Sequence, residues 1–271
     1  MKSPRISRHW GRLFVASNPN SHKLPLVLLH GLLGDGRDWQ PVIEALPGIA
    51  CHALDLPGHG SNQGVSVTGF EQANQWLCDA LKALGIEQYR LAGYSLGGRL
   101  ALYHASQSPA GLQALLLENC HPGLPLAERA ARIEHDEGWA RRFEREPLTE
   151  VLADWYQQGV FADLDEAARA RQIAGRLGNQ GTAIATMLRA TSLGQQPDLA
   201  AWLRAEPLVG TRLPVTWLSG SRDHKFHQLA CQLVNQGCNI NHLTLDGGHN
   251  LHTSQPETFA QLLREWVAST P

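Results

Sequence analysis

The sequence has no apolar run approaching the roughly 20 residues that a membrane-spanning helix needs. Its opening stretch, MKSPRISRHWGRLFVASN, lacks the uninterrupted apolar core of a secretory signal, so the expectation is a cytoplasmic protein with no membrane span. Charge of one sign is missing too. The 23 lysines and arginines nearly balance 25 aspartates and glutamates, which removes the electrostatic case for nucleic acid or a polybasic membrane contact and leaves small molecules as partners. Cysteine is sparse and odd in number. Cys51, Cys78, Cys120, Cys231 and Cys238 contain no Cys-x-x-Cys pair, so neither a disulfide framework nor a zinc site is suggested. No internal repeat, low-complexity tract or long linker divides the 271 residues, a length that suits one large domain or a core plus an insertion. Nothing in the sequence demands an oligomer, and a monomer is compatible with it.

Six short apolar runs bounded by turn residues are present: LPLVLLHG, IACHALDLPG, YRLAGYS, LQALLLENC, LPVTWLSGS and NHLTLDGG. Runs of this kind are expected for parallel strands buried on both faces. Amphipathic segments separate them. In TGFEQANQWLCDALKALG, residues Phe70, Trp76, Leu77, Leu81 and Leu84 recur near helical spacing, Thr68 is placed to cap the start and Gly85 to end it. Alternating strands and helices predict an α/β fold: a mostly parallel central sheet with helices on both faces.

The alternation stops near His121. From there to about Arg212 the chain reads as consecutive helices, with Trp139, Phe143, Leu148, Leu152, Trp155 and Tyr156 as apolar points. Strands then resume, so residues 121–212 are expected to form a helical cap inserted into a core of residues 1–120 and 213–271.

Chemistry concentrates at Gly93-Tyr94-Ser95-Leu96-Gly97, a G-x-S-x-G pattern after a predicted strand and before a predicted helix. Such a strand-to-helix bend strains the serine backbone and lifts its hydroxyl above the sheet, with glycines allowing strand and helix to close together. A serine hydroxyl needs a base to react, and the base needs an orienting acid. Asp223 follows the strand PVTWLSG and His249 follows HLTLDG, so each sits in a loop at the carboxyl end of a parallel strand. Ser95, Asp223 and His249 come in the chain order expected of an α/β-hydrolase triad.

Other residues compete for these roles. His252 is a second candidate base, but the helix carrying Phe259, Leu262, Leu263 and Trp266 is expected to begin near it. Glu118 and Asp246 also follow strands, Asp246 so close to His249 that it is better placed to organise the turn. A His249–His252 zinc pair lacks further ligands. Backbone N–H groups for an oxyanion are expected from Leu32, in the Gly-containing loop after His30-Gly31, and from Leu96, just after the serine. His59, in DLPGHGSN, reads as structural.

Taken together, HGLLGDGRDW, DLPGHGSN, GYSLGGRLAL, SGSRDHKF and GGHNLH resemble the α/β-hydrolase superfamily in their order, which implies the α/β-hydrolase fold. A narrower resemblance rests on GYSLGGR, ENCHPGL, REPLTEVLADWYQQGVFADL, MLRATSLGQQPDL and RDHKF. From about Leu26 to about Trp266 these segments resemble the 2-succinyl-6-hydroxy-2,4-cyclohexadiene-1-carboxylate synthases of menaquinone biosynthesis. The resemblance implies a lyase that eliminates pyruvate from an enolpyruvyl cyclohexene carrying a succinyl group, without metal or organic cofactor. It carries the triad onto Ser95, Asp223 and His249. Substrate-facing arginines fall on Arg99, Arg132 (with Arg129 one turn away) and Arg176 (with Arg169 and Arg171 nearby), and aromatic pocket positions on Tyr94 and Trp155. About twenty N-terminal residues extend beyond the family pattern. A serine hydrolase of an ester, a thioester or a carbon–carbon bond is the alternative, since a base and a nucleophile need the same activated hydroxyl.

Arg99 lies in the first turn of the expected helix, where a positive charge opposes the helix dipole at a cost of about 0.3–1 kcal/mol. A bound anion beside the serine would offset that cost through a charge-assisted contact; an ion pair with a loop carboxylate is the other possibility. The stretch from His121 to Glu206 holds 10 arginines, no lysine and 13 acidic residues. It is therefore not basic overall, and individual arginines must bind the small polycarboxylate substrate that the resemblance implies.

Overall fold

The computed structural model describes residues 14–16, 24–205 and 212–271. Its strands are β1 (Phe14–Ala16), β2 (Leu26–Leu29), β3 (Cys51–Leu54), β4 (Tyr89–Tyr94), β5 (Leu112–Glu118), β6 (Val215–Gly220) and β7 (Asn241–Leu245). The helices of the first half are α1 (Gln40–Glu44), α2 (Phe70–Ala83) and α3 (Leu96–Ser106). Between β5 and β6 lie α4 (Leu126–Arg145), α5 (Leu148–Trp155), α6 (Glu166–Arg176), α7 (Gly181–Ala190) and α8 (Ala200–Arg204). After β6 come α9 (His224–Asn235), α10 (Leu251–Ser254) and α11 (Pro256–Ser269).

The sheet order is β1-β3-β2-β4-β5-β6-β7. All neighbours are parallel except β1, which runs antiparallel to β3. The expected α/β-hydrolase architecture is borne out, and all six apolar runs contain a strand. The edge strand β1 was not expected: it spans three residues of an N-terminal stretch that otherwise lies mostly outside the described residues. Residues 206–211, at the end of the expected cap, also lie outside them.

The apolar runs are continuous because both sheet faces are covered. Val27, Leu29, Leu91, Leu115, Leu117 and Trp217 belong to one buried cluster with residues of α2, α3 and α9. The intervening Leu26, Leu28, Ala92, Leu116 and Leu218 belong to a second, with residues of α1 and α11. Each such side chain taken fully out of water contributes about 1.5–3 kcal/mol. Helix α2 begins differently from expectation: Gly69 is its N-cap and no side chain caps it, while the Thr68 N–H donates to Gln72 Oε1 at 3.0 Å. Gly85 ends it, in the left-handed region at φ +68°. Helices α4 to α7 build a third cluster around Phe143, Val151, Leu152, Tyr156 and Ile184, and Leu33 of the loop after β2 packs into it. The Asn179 amide donates to the Leu33 carbonyl oxygen at 2.9 Å, tying this helical layer to the same loop.

Candidate active site

Strand β4 turns into α3 at Ser95, whose backbone sits at φ +49°, ψ −109°, a region that L residues rarely occupy. The turn is so tight that a Cβ on Gly93 would approach the Gly97 carbonyl oxygen to 2.5 Å, and one on Gly97 would run into the Leu29 carbonyl. The Ser95 N–H donates to the Glu118 carbonyl oxygen at 2.9 Å, which pins the bend to the end of β5.

Ser95 Oγ lies 3.3 Å from His249 Nε2, and His249 Nδ1 lies 2.5 Å from Asp223 Oδ2. A carboxylate only accepts, so Nδ1 carries the proton and Nε2 presents its lone pair to the serine hydroxyl. Asp223 is the N-cap of α9, its other oxygen accepting from the Phe226 N–H at 3.3 Å. The imidazole is buried among the rings of Tyr94, Phe226 and Phe161, at centroid separations of 5.3, 4.7 and 6.0 Å. The three residues taken from separate loops therefore converge.

Two residues at the end of β5, whose bracing role sequence reasoning did not foresee, hold the loops in register. Asn119 donates to the His249 carbonyl oxygen at 2.7 Å and to that of Gly248 at 3.2 Å, while its Oδ1 accepts from the Gly220 N–H at 3.2 Å. Glu118 is fully buried and accepts from the Leu251 and His252 N–H groups at 2.7 and 3.2 Å and from His252 Nδ1 at 2.8 Å. The rival acid and the rival base are thus paired with each other. His252 is also stacked on Trp39 at 3.9 Å. It lies in the short helix α10, separate from the helix carrying Phe259. Asp246 is exposed and accepts from Ser221 Oγ and Arg222 at 3.1 and 2.9 Å, organising the turn.

Leu96 is the first residue of α3, so its N–H has no partner within the helix. Leu32 sits in a turn closed by the Gly34 N–H on the Gly31 carbonyl oxygen at 3.1 Å. Two buried histidines brace that turn. His30 Nε2 accepts from the Leu56 N–H at 2.9 Å and His59 Nε2 accepts from the Leu33 N–H at 3.1 Å. A backbone N–H can only donate, so each ring carries its proton on Nδ1, which donates to Gly31 O at 2.7 Å and to Pro57 O at 2.9 Å respectively. Burial pushes both below the usual imidazole range, His59 to about 3.

Ser95, Leu32, Leu96, Asp223 and His249 line a cavity of about 900 Å³, and Arg99, Arg132 and Trp155 line it with them. Arg99 Nη1 donates to the Thr191 carbonyl oxygen at 2.8 Å and to Gln196 Oε1 at 3.4 Å. Both are neutral acceptors. No carboxylate of the described residues lies within ion-pair distance of it, and burial pushes its guanidinium down to about 10. Arg132 donates to Asp136 at 2.8 Å. Its neighbour Arg129 bonds the Leu124 carbonyl oxygen at 3.0 Å and is not on the cavity wall.

Arg176 and Tyr94 are not brought to this cavity. They line an adjoining space of about 30 Å³ that shares Leu32, Phe161, Asp163 and His249 with the cavity. The Arg176 guanidinium is buried and ion-paired with Asp38 at 2.7 Å, 138 positions away in sequence and invisible as a partner there. Tyr94 packs its ring on His249 and His252. Arg169 bonds the Tyr156 and Leu164 carbonyl oxygens, and Arg171 is exposed. The cavity also holds Lys225 and His121, which sequence reasoning did not single out although both lie in the quoted segments RDHKF and ENCHPGL. Among the described residues, no group of three or more His, Cys, Asp or Glu side chains could hold a metal ion, and no helix is long and apolar enough to cross a membrane.

Comparison with known proteins gives the family and the fold. The profile of the α/β-hydrolase-fold family matches residues 25–256. A 2-succinyl-6-hydroxy-2,4-cyclohexadiene-1-carboxylate synthase of Yersinia enterocolitica is 47% identical over 248 residues, covering 90% of this chain and 87% of the relative. One of Enterobacter sp. strain 638 is 45% identical, covering 91% of this chain and 94% of the relative. The solved structure of MenH from S. aureus superposes with a TM-score of 0.83 at 26% identity, over 95% of this chain and 97% of that one. An enol-lactonase from Burkholderia xenovorans, 16% identical with a TM-score of 0.75 and covering 95% of this chain and 96% of that one, shares the fold.

Proposed function

We infer the chemistry from one premise: this chain belongs to the α/β-hydrolase-fold family and, within it, to the 2-succinyl-6-hydroxy-2,4-cyclohexadiene-1-carboxylate synthases. It is a carbon–oxygen lyase of menaquinone biosynthesis, eliminating pyruvate from 2-succinyl-5-enolpyruvyl-6-hydroxy-3-cyclohexene-1-carboxylate.

In the mechanism we propose, His249, oriented by Asp223, takes the Ser95 proton. The serine alkoxide then removes the proton from the ring carbon next to the succinyl ketone, and no acyl-enzyme forms. The Leu32 and Leu96 N–H groups hold the resulting enolate oxygen. When the carbonyl reforms, the ring double bond shifts, the bond to the enolpyruvyl oxygen breaks, and the departing enolate is protonated to pyruvate. Arg99 and Arg132 hold substrate carboxylates so that proton and leaving group align. Arg176 is left out of this role because, unlike Arg132, it does not line the cavity with Ser95, and its charge is paired with Asp38. Tyr94 acts by packing the imidazole, and Trp155 as an apolar wall of the cavity.

Residues 121–212 serve as a cap on the core of 1–120 and 213–271; Arg132 and Trp155, from that stretch, share the cavity with Ser95 and support this division. A cytoplasmic location and a small polycarboxylate as the partner complete the proposal, consistent with the near-balanced charge. One observation supports it: a hydroxyl–imidazole–carboxylate relay opens onto a cavity in which the half-buried Arg99 guanidinium has no carboxylate partner among the described residues. The test is incubation of the purified protein with the enolpyruvyl cyclohexene and a pyruvate assay, beside a panel of nitrophenyl esters. Pyruvate release without ester turnover is the expected result; ester turnover with a covalent burst on Ser95 and no pyruvate would establish the hydrolase alternative instead.

A further inference from the structure

The substrate of the proposed reaction carries three carboxylates, whereas the cations so far assigned to the cavity meet that charge poorly. Arg132 is already paired with Asp136, which is buried and also accepts from Ser192 Oγ at 2.7 Å. Arg176 is ion-paired outside the cavity. Of these three arginines, only Arg99 has no carboxylate within ion-pair distance among the described residues.

Lys225 supplies a second such charge. It is the second residue of α9, two positions after the triad acid, and lines the same cavity wall as Ser95, Arg99, Arg132 and His249. Among the described residues its ammonium has no carboxylate within ion-pair distance; its recorded contact is the Phe226 ring, 5.7 Å from Nζ. Like Arg99 on α3, it is a cation in the opening turns of a helix, where the dipole disfavours positive charge. Two helices thus each carry a positive side chain at an unfavourable position, and both side chains face one cavity.

His121 stands among these cations. Its Nδ1 accepts from the Gly123 N–H at 3.2 Å, so the ring keeps a proton on Nε2. Burial, together with Arg99, Lys225 and Arg132, holds it neutral, with its pKa pushed down to about 3. Arg132 repels both Arg99 and Lys225, while Asp136 attracts both, and Asp223 attracts Lys225, without forming an ion pair with either among the described residues, so a bound polyanion would complete the site.

We propose that Lys225 is a substrate-binding residue: together with Arg99 it forms an anionic subsite that holds a carboxylate of the polycarboxylate substrate on the α9 side of the cavity. This inference rests on the reaction proposed above. It deepens that reading by placing charge recognition on a residue of the core rather than on a third arginine of the cap.

Two measurements on Lys225→Met and Lys225→Arg test it. In steady-state pyruvate release, Lys225→Met is expected to raise KM by roughly 10- to 100-fold with kcat within about threefold of wild type, the signature of lost uniform binding. Lys225→Arg should stay within about threefold of wild type in both. In calorimetry with tricarballylate, a flexible tricarboxylate, Lys225→Met should weaken binding by roughly tenfold or more. Values within twofold of wild type in both measurements would overturn the assignment. So would a loss confined to kcat, which would mark a disturbed Asp223 instead. If the wild type binds tricarballylate and Lys225→Met weakens that binding, but the wild type releases no pyruvate, the reaction assignment fails and the anionic subsite stands.

Discussion

Replacing Arg99 by methionine separates a guanidinium kept for the fold from one kept for the substrate. Its ordinary value is near 12.5, and burial pushes it down to about 10, with repulsion from Arg132 adding to the effect. At about 1.36 kcal/mol per tenfold, carrying the charge there costs about 3 kcal/mol. The side chain is partly open to the cavity, and water there reduces the cost to about 1–2 kcal/mol. Against that stand two hydrogen bonds to neutral acceptors, Thr191 O and Gln196 Oε1, each contributing about 0.5–1.5 kcal/mol. The terms cancel to within about 1 kcal/mol, which for a protein of this size is a Tm change of about 2–4 °C in either direction.

Activity should respond very differently. A charge-assisted contact to a carboxylate contributes about 1.5–3 kcal/mol, so kcat/KM for pyruvate release should fall by roughly 10- to 150-fold. Differential scanning calorimetry and steady-state kinetics on the same preparation give both numbers. A Tm lowered by more than about 6 °C with kcat/KM within threefold of wild type would show that Arg99 is a packing residue, and the account of its charge would be wrong.

The remaining predictions concern the triad, an ion pair and two histidines. Ser95→Ala and His249→Ala should each lower kcat by roughly 10³-fold or more while the double variant is scarcely worse, because the two act as one unit; losses that simply multiply would contradict the relay. Arg176→Met or Asp38→Asn alone should destabilise by about 3–5 kcal/mol in urea denaturation by leaving a largely buried charge unpaired, and the double variant should recover much of it; additive losses would mean that the pair is not coupled. Stability should be full above about pH 6.5 and fall with acid, because the unfolded chain protonates His59 and His104 near that value. The folded chain holds His59 to about 3 and His104 to about 4. Between pH 6 and 4.5 these two histidines together should contribute a loss of about 2–4 kcal/mol by chemical denaturation, to which His30 and His121 add, and the slope should flatten in His59→Gln; a wild type insensitive to pH over this range would count against the neutral bracing of the loop after β2.

The difference between what the sequence disclosed and what it hid follows from the range of the interactions. A buried parallel strand must be apolar on both faces, so β2 to β6 are visible as local runs, while the edge strand β7, exposed or half-buried throughout, shows only the alternating Leu243 and Leu245; the elbow is visible because Gly93 and Gly97 are required within two residues of Ser95. Asp223 and His249 were found from their position after a strand, since a parallel sheet gathers such loops along one edge. Arg176 shows the limit: its helix and its charge are local facts, but its partner Asp38 lies in the loop after β2, and only folding commits that charge. The same holds for Glu118 and His252, each a plausible catalyst by position and each hydrogen-bonded to the other across 134 residues. Lys225 was hidden for the opposite reason, since its significance lies in the carboxylate it does not meet.

Those pairings also explain how one sheet edge can hold so many ionisable groups without ambiguity of role. Asp223 and Glu118 end in similar places, yet Asp223 accepts from an imidazole whose far nitrogen reaches Ser95, while Glu118 accepts from two backbone N–H groups and from an imidazole stacked on Trp39. The second pair fixes the start of α10, two residues beyond the His249 imidazole. Asn119 fixes that imidazole's own carbonyl, and the Glu118 backbone fixes the serine. The end of β5 is thus the common support against which both halves of the relay are positioned. The hydroxyl–imidazole separation of 3.3 Å is set by that strand end rather than by either loop alone, and is only slightly longer than the reach needed for proton transfer.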